Sequence, residues 1–196
     1  PIGYAVKVSY ESTGLLFFEN LFDIINIDVK IIDLSVSIVV CIIETLKERS
    51  KIMNICLYGA SSNKISNDYI IAVEELGRQM GKRGHSLVFG GGADGLMGAV
   101  ARGINSENGY IKGIAPSFFN VDGRLYQECS EFVYTKTMRE RKQFMEESAD
   151  AFIVTPGGIG TFEEFFEILT LKQLACHNKP IVVFNLFGYY DKLYDM

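Results

Sequence analysis

The run PGGIGTFEE at residues 156–164 combines Gly157, Gly158 and Gly160 with a hydroxyl, Thr161, and two carboxylates, Glu163 and Glu164. That combination could act on a phosphorylated sugar. Glycines at a helix start leave backbone N–H groups free to converge on an anion, and the helix dipole adds to their attraction. No acid precedes Thr161 in the run, so the amides around Gly157, Gly158, Ile159 and Gly160, with the Thr161 hydroxyl, suit a phosphate. The lysine that a Walker loop places after its last glycine is missing, which fits a monophosphate better than ATP. Glu163 and Glu164 follow in the first helical turn, where the dipole stabilises carboxylates. They read either as ordinary helix-start acids or as groups within reach of a sugar bonded to that phosphate. Cleavage of a glycosidic bond builds oxocarbenium character, which a fixed carboxylate stabilises or traps.

Two further segments carry chemical interest. GGGADGLMG at residues 90–98 also follows an apolar run and opens a helix, so Gly91 and Gly92 could let a ligand approach the main chain closely. Its glycines satisfy GxGxxG spacing, but Asp94 sets a carboxylate where a dinucleotide pyrophosphate would lie, and no acid ends the next strand at the usual offset. The alternative is that these glycines only permit a tight turn and close helix packing. MRERK at residues 138–142 places three cations at a helix start, where the dipole does not favour them. Either this is a solvated face paired with Glu146, or it meets an anionic ligand.

The elements that must position these segments follow from periodicity. From Met53 onward short apolar runs alternate with amphipathic stretches, as βαβ units do. Strands are expected at MNICLYG (53–59), SLVFGGG (86–92), YIKGIAP (110–116), EFVYT (131–135), DAFIVTP (150–156) and KPIVVFN (179–185). Helices are expected from a cap at Ser66 or Asn67 to a stop at Gly84, then over 95–102, 136–148 and 160–176, the last with Phe162, Phe165, Phe166 and Leu169 inward. The expected architecture is α/β: a Rossmann-like, doubly wound parallel sheet in a single domain, binding ligands beyond the carboxyl ends of its strands. Right-handed crossovers place both glycine turns on that one edge.

Composition bounds the rest. The chain has 196 residues, 48% hydrophobic and 22% charged, which is enough for one packed domain. A net charge of -5 offers no general attraction for nucleic acid polymers or anionic membranes. Cys41, Cys56, Cys129 and Cys176 form no CxxC or Cys/His spacing, so neither a metal nor a disulfide framework is expected and the thiols read as reduced, as in a cytoplasmic chain. His85 and His177 stand apart and read as structural or solvated. Residues 1–52 show no sustained period and no recognisable chemistry, and their most apolar stretch, 34–43, is half of what a membrane helix needs. They read as an unassigned extension or a mispredicted start before a domain at 53–196, whose final helix reads as truncated.

GGGADGLMG, MRERK and PGGIGTFEE, in this order, resemble the LOG (Lonely Guy) family of cytokinin riboside 5'-monophosphate phosphoribohydrolases, from about Met53 to the carboxyl end. The resemblance implies a cofactor-free hydrolase that takes a nucleoside 5'-monophosphate to free base and ribose 5-phosphate, as a homodimer or larger homo-oligomer. By position it implies Arg141 and Glu164 as catalytic residues. Lys142, the stretch 158–164 and Thr170 match nucleotide contacts, with Glu163 a helper. A glutamate that many plant-type members carry before the MRERK-like motif has no firm counterpart here; Asp122, in the loop 117–126 expected to hold the base, is the nearest candidate. The alternative expectation is a nucleotide or molybdenum-cofactor carrier of the same fold.

Overall fold

The computed structural model describes residues 8–10, 15–18, 52–119 and 123–195. Strands β1 (Val8–Tyr10) and β2 (Leu15–Phe18) precede a regular alternation: β3 (Asn54–Tyr58), α1 (Asn67–Lys82), β4 (Ser86–Phe89), α2 (Gly95–Asn105), β5 (Ile111–Pro116), β6 (Glu131–Thr135), α3 (Met138–Ser148), β7 (Ala151–Val154), α4 (Ile159–Gln173), β8 (Ile181–Val183) and α5 (Asp191–Tyr194). The sheet order is β1-β2-β8-β7-β3-β4-β5-β6. The six strands from β3 to β8 are all parallel to their neighbours, and the order runs outward from β3 in both directions. That is the doubly wound topology the alternation predicts, with its switch point at β3, β4 and β7.

Strand composition explains why both faces are covered. Along β3 Ile55 and Leu57 join the core layer under α1 and α2, while Cys56 and Tyr58 join the layer under α3 and α4. The same alternation holds on β7, where Ala151 and Ile153 face one layer and Phe152 and Val154 the other. Strands buried on both faces read as continuous apolar runs, and these do. On one side α1 and α2 pack backbone to backbone: a side chain at Gly77 would meet the Val100 carbonyl at 2.3 Å, and one at Gly103 the Glu74 carbonyl at 2.0 Å.

The structure refines several expectations. Ser66 caps α1, accepting from Asp68 N, and Gly84 follows its end at φ 78°. Helix α4 buries Phe165 and half-buries Phe162 and Leu169, but Phe166 points outward at 45% exposure, a correction to the inward reading. The buried face of that helix is centred on Thr161, Glu164, Phe165 and Ile168, which leaves Phe166 beyond its edge. His85 and His177 are buried structural groups: His85 Nδ1 accepts from Met53 N, and His177 Nε2 contacts the Ile168 carbonyl at 2.9 Å. Cys56, Cys129 and Cys176 are free thiols. Cys41 and the apolar stretch 34–43 lie outside the described residues. Two short segments of the extension do take part in the fold, with β2 pairing parallel to β8 and β1 antiparallel to β2. No helix among the described residues is long and apolar enough to cross a membrane.

Candidate active site

At the switch point, beyond the carboxyl ends of β3, β4 and β7, lies a cavity of about 650 Å³. Its walls come from four places: the turn after β3 (Gly59, Ala60, Ser61, Ser62), the turn after β4 (Gly90, Gly92, Asp94) with Met97, residues Phe119, Arg124 and Leu125 after β5, and α3 and α4. The α3 and α4 contribution is Met138, Arg141, Gly158, Ile159, Gly160, Thr161 and Glu164.

The turn between β7 and α4 is stitched to its neighbours by its own backbone. Thr155 donates to the Tyr58 carbonyl through both its amide and its hydroxyl, and Ala60 N donates to the Pro156 carbonyl at 3.0 Å. From the other side Tyr189 Oη donates to the Gly157 carbonyl at 2.6 Å, and Tyr190 Oη to the Thr155 carbonyl at 2.7 Å. Gly157 is needed for clearance, since a Cβ there would fall 2.1 Å from Thr161 Oγ1. Gly158 and Gly160 differ: a Cβ at either would meet nothing within 4 Å. The first intrahelical bond runs from Phe162 N to Gly158 O, so the amides of Ile159, Gly160 and Thr161 precede it at the positive end of the dipole.

Beside this helix start Arg141 Nη1 donates to Glu164 Oε1 at 2.7 Å, and Arg141 Nε donates to the Ile114 carbonyl at 3.3 Å. Both side chains are buried, Arg141 at 7% exposure and Glu164 at 9%, so each needs the other to offset its desolvation. Burial pushes the Glu164 carboxyl above its ordinary value, and the Arg141 guanidinium opposes that rise. Gly90 makes room for the guanidinium, because a Cβ there would fall 2.2 Å from Arg141 Nη2. Tyr58 and Cys56 on β3 feel the Glu164 charge, and both stay neutral; burial raises the tyrosine and pushes the thiol up to about 12.

Lys142 shows what the charged run at 138–142 is for. Its ammonium pairs with Glu163 and, at 2.9 Å, with Glu167, tying α3 to α4. Burial pulls its pKa down, but those two carboxylates hold it above the ordinary lysine value. The expected pairing with Glu146 is replaced by these contacts on the next helix. The adverse dipole at the start of α3 is offset by a reciprocal capping box between Thr137 and Glu140.

The turn after β4 is closed. Asn63 Oδ1 accepts from Gly95 N at 2.9 Å, and the Ala60 carbonyl accepts from Leu96 N at 2.8 Å and from Met97 N at 3.4 Å. Asn63 Nδ2 in turn donates to Asp94 Oδ1 at 2.7 Å. Gly91 sits at φ 76° with the Phe132 ring where a side chain would be, and Gly92 bridges to Leu125.

The structure thus brings Arg141, Glu164, Gly92, Gly158, Ile159, Gly160 and Thr161 to one cavity. Gly91, Gly157, Lys142, Glu163 and Thr170 do not line it; the Thr170 hydroxyl donates to the Phe166 carbonyl at 2.7 Å on the exposed side of α4. Asp122 lies outside the described residues, although Phe119, Arg124 and Leu125 from the same loop reach the wall. Ser61 and Ser62 line the wall with no motif to mark them, and Asp94, which the sequence marks only as unfavourable to a pyrophosphate, lines it too. Small polar residues directly after the first strand were the available signal, since that turn must open on the same edge. Among the described residues no cluster of three or more His, Cys, Asp or Glu could hold a metal ion.

Comparison with known proteins narrows this picture. A family model described as "Possible lysine decarboxylase" matches residues 97–196. A rice protein (Oryza sativa subsp. japonica) named as a probable cytokinin riboside 5'-monophosphate phosphoribohydrolase is 38% identical over 144 residues, covering 74% of this chain and 58% of its own. A cytokinin riboside 5'-monophosphate phosphoribohydrolase of Arabidopsis thaliana is 37% identical over 145 residues, covering 74% of this chain and 68% of its own. The chain therefore spans somewhat over half to two thirds of the length of these relatives. Among solved structures, the molybdenum cofactor binding protein of Rippkaea orientalis aligns with a TM-score of 0.55 at 22% identity, over 68% of this chain and 76% of that one. The Moco carrier protein of Chlamydomonas reinhardtii aligns with a TM-score of 0.58 at 20% identity, over 74% and 84%. At that identity the two share the fold.

Proposed function

This chain belongs to the LOG family, and from that membership and the geometry of the cavity we propose that it hydrolyses the N-glycosidic bond of a nucleoside 5'-monophosphate, a cytokinin riboside 5'-monophosphate or AMP, to free base and ribose 5-phosphate. The observation that carries the reading is the buried Arg141–Glu164 pair set beside a helix start whose leading amides no described residue claims. A carrier needs the anion-binding turn but gains nothing from a desolvated carboxylate next to it.

In this mechanism the phosphate rests on the amides at the start of α4 and on the Thr161 hydroxyl, which places the ribose against Glu164. The carboxylate stabilises positive charge at C1' as nucleophile or by orienting water, and Arg141 fixes the substrate and offsets negative charge on the departing base. Lys142, through Glu163 and Glu167, holds α3 and α4 at the spacing this requires. The proposed catalytic fold begins at about residue 53, and the proposed setting is the cytoplasm. A homodimer belongs to the same proposal, because Phe166 and, at its C-cap, Leu174 leave α4 with apolar surface at 45% and 67% exposure.

The test incubates the full chain with AMP and with isopentenyl-AMP and measures free base and ribose 5-phosphate. Glu164→Gln is expected to lower kcat between about 100-fold and about 10,000-fold with nucleotide binding kept. An unimpaired variant overturns the role of Glu164, and a wild-type chain that binds both nucleotides without cleaving either is a carrier. The raised carboxyl also predicts a pH signature. Ionised Glu164 is required, so the acid limb of kcat/KM lies above the ordinary carboxylate value of 4.5. For stability the sign is opposite: the protonated form contributes fully below 4.5, and that contribution is lost as pH rises through the folded-state value.

A further inference from the structure

Asp94 holds the N-cap position of α2, where an aspartate ordinarily accepts from its own helix and stabilises it. Its carboxylate makes no such bond. Asn63, from the turn after β3, does that work instead through its Oδ1 on Gly95 N, and its Nδ2 grips Asp94 Oδ1 at 2.7 Å. The two bonds together fix which way the Asn63 amide faces. Asp94 is left held by one oxygen on the wall of the cavity, with Oδ2 bonded to none of the described residues.

The cavity therefore has two unlike ends. The start of α4 favours negative charge, Arg141 lies between, bonded to Glu164 and set against Gly90, and Asp94 stands over a start of α2 whose amides are already taken. Strands β7 and β4 flank β3, so the turns that follow them lie about two strand spacings, roughly 10 Å, apart. A nucleotide with its phosphate on α4 and its ribose against Glu164 turns its base toward α2. A carboxylate only accepts hydrogen bonds, so it rewards an N–H on the base and disfavours a carbonyl oxygen there.

We propose that Asp94 is a specificity residue that accepts a hydrogen bond from the exocyclic N–H of a 6-aminopurine. The inference rests on the reading of this cavity as a nucleoside-monophosphate site. It separates two otherwise similar ligands: adenine with one substituent on its exocyclic nitrogen keeps an N–H, and adenine with two has none.

The test measures kcat/KM for N6-methyl-AMP and N6,N6-dimethyl-AMP with the wild-type chain and with Asp94→Leu, which is close in size and cannot accept. Wild type is expected to prefer the monomethyl nucleotide at least about tenfold, the lower end for a hydrogen bond to a charged group. In Asp94→Leu that preference shrinks to about threefold or less, while the melting temperature changes little because Asn63 still caps α2. An undiminished preference in the variant overturns the proposal and leaves the hydrolase reading intact. If the wild-type chain cleaves neither these nucleotides nor AMP, the hydrolase reading fails, and the ratio of the two dissociation constants, measured by calorimetry on both chains, decides the role of Asp94 alone.

Discussion

The turn after β4 and the turn after β7 share one sequence grammar, a strand running into glycines that open a helix, and the chain uses them in opposite ways. In the first, protein atoms occupy the space a side chain would take: Arg141 over Gly90, Phe132 over Gly91, and Ala60 and Ser62 against Gly95. The helix behind it has its leading amides bonded to Asn63 and to the Ala60 carbonyl. In the second, Gly158 and Gly160 border free space and the leading amides of α4 are unclaimed by the helix. A glycine pattern alone therefore says that something approaches the backbone closely. Whether the visitor is a ligand or the protein itself depends on residues far away in sequence.

Substitutions that swap the properties of the two turns test this contrast. The largest effect is expected at the closed turn, from Gly90→Ala. The added methyl displaces the Arg141 guanidinium from Glu164, and kcat should fall between about 100-fold and about 1,000-fold, as when one transition-state donor is removed. Because Gly90 acts through Arg141, the same substitution in an Arg141→Ala background should cost little more, which a double-mutant cycle reads directly. Additive losses would show that Gly90 serves the ligand and that the two turns are alike after all.

At the open turn Gly160→Asp should raise KM for the nucleotide at least about tenfold through repulsion of the phosphate. The same acid at a helix start favours folding, so the melting temperature should hold or rise. Unchanged KM would remove the phosphate from this turn. The smallest effect is expected from Asn63→Ala, which strips the surrogate cap from α2. Denaturant unfolding should show a loss of about 1 kcal/mol, with KM for the phosphate end unchanged.

The sequence made much of this framework legible. The apolar runs at β3, β4, β7 and β8 are continuous because both faces of a parallel sheet are buried there, and that is a local signal, whereas the edge strand β6 is only partly buried and reads more weakly. The open helix start at Gly158 to Thr161, on which the proposed phosphate site rests, was readable from its glycines and from the absence of an acid ahead of the helix. The roles proposed for Arg141 and Glu164 come from resemblance, because nothing in MRERK itself says which cation turns inward; burial of Arg141 depends on Ile114, Gly90 and Glu164. The same limit hid the pairing of Lys142 with Glu163 and Glu167 and the capping of α2 by Asn63. Phe166 was misplaced because α4 is apolar around more of its circumference than one buried face requires. Two short strands within an aperiodic extension, Val8–Tyr10 and Leu15–Phe18, left no alternation to detect.

Tyr189 and Tyr190 reach back to clasp the carbonyls of Gly157 and Thr155. A chain emerges from the ribosome from its amino end, so the strands up to β8 can assemble while the turn between β7 and α4 still lacks this clasp. Until residue 190 is outside the exit tunnel that turn stands without its brace, and synthesis itself sets the order in which the strands and the finished turn appear.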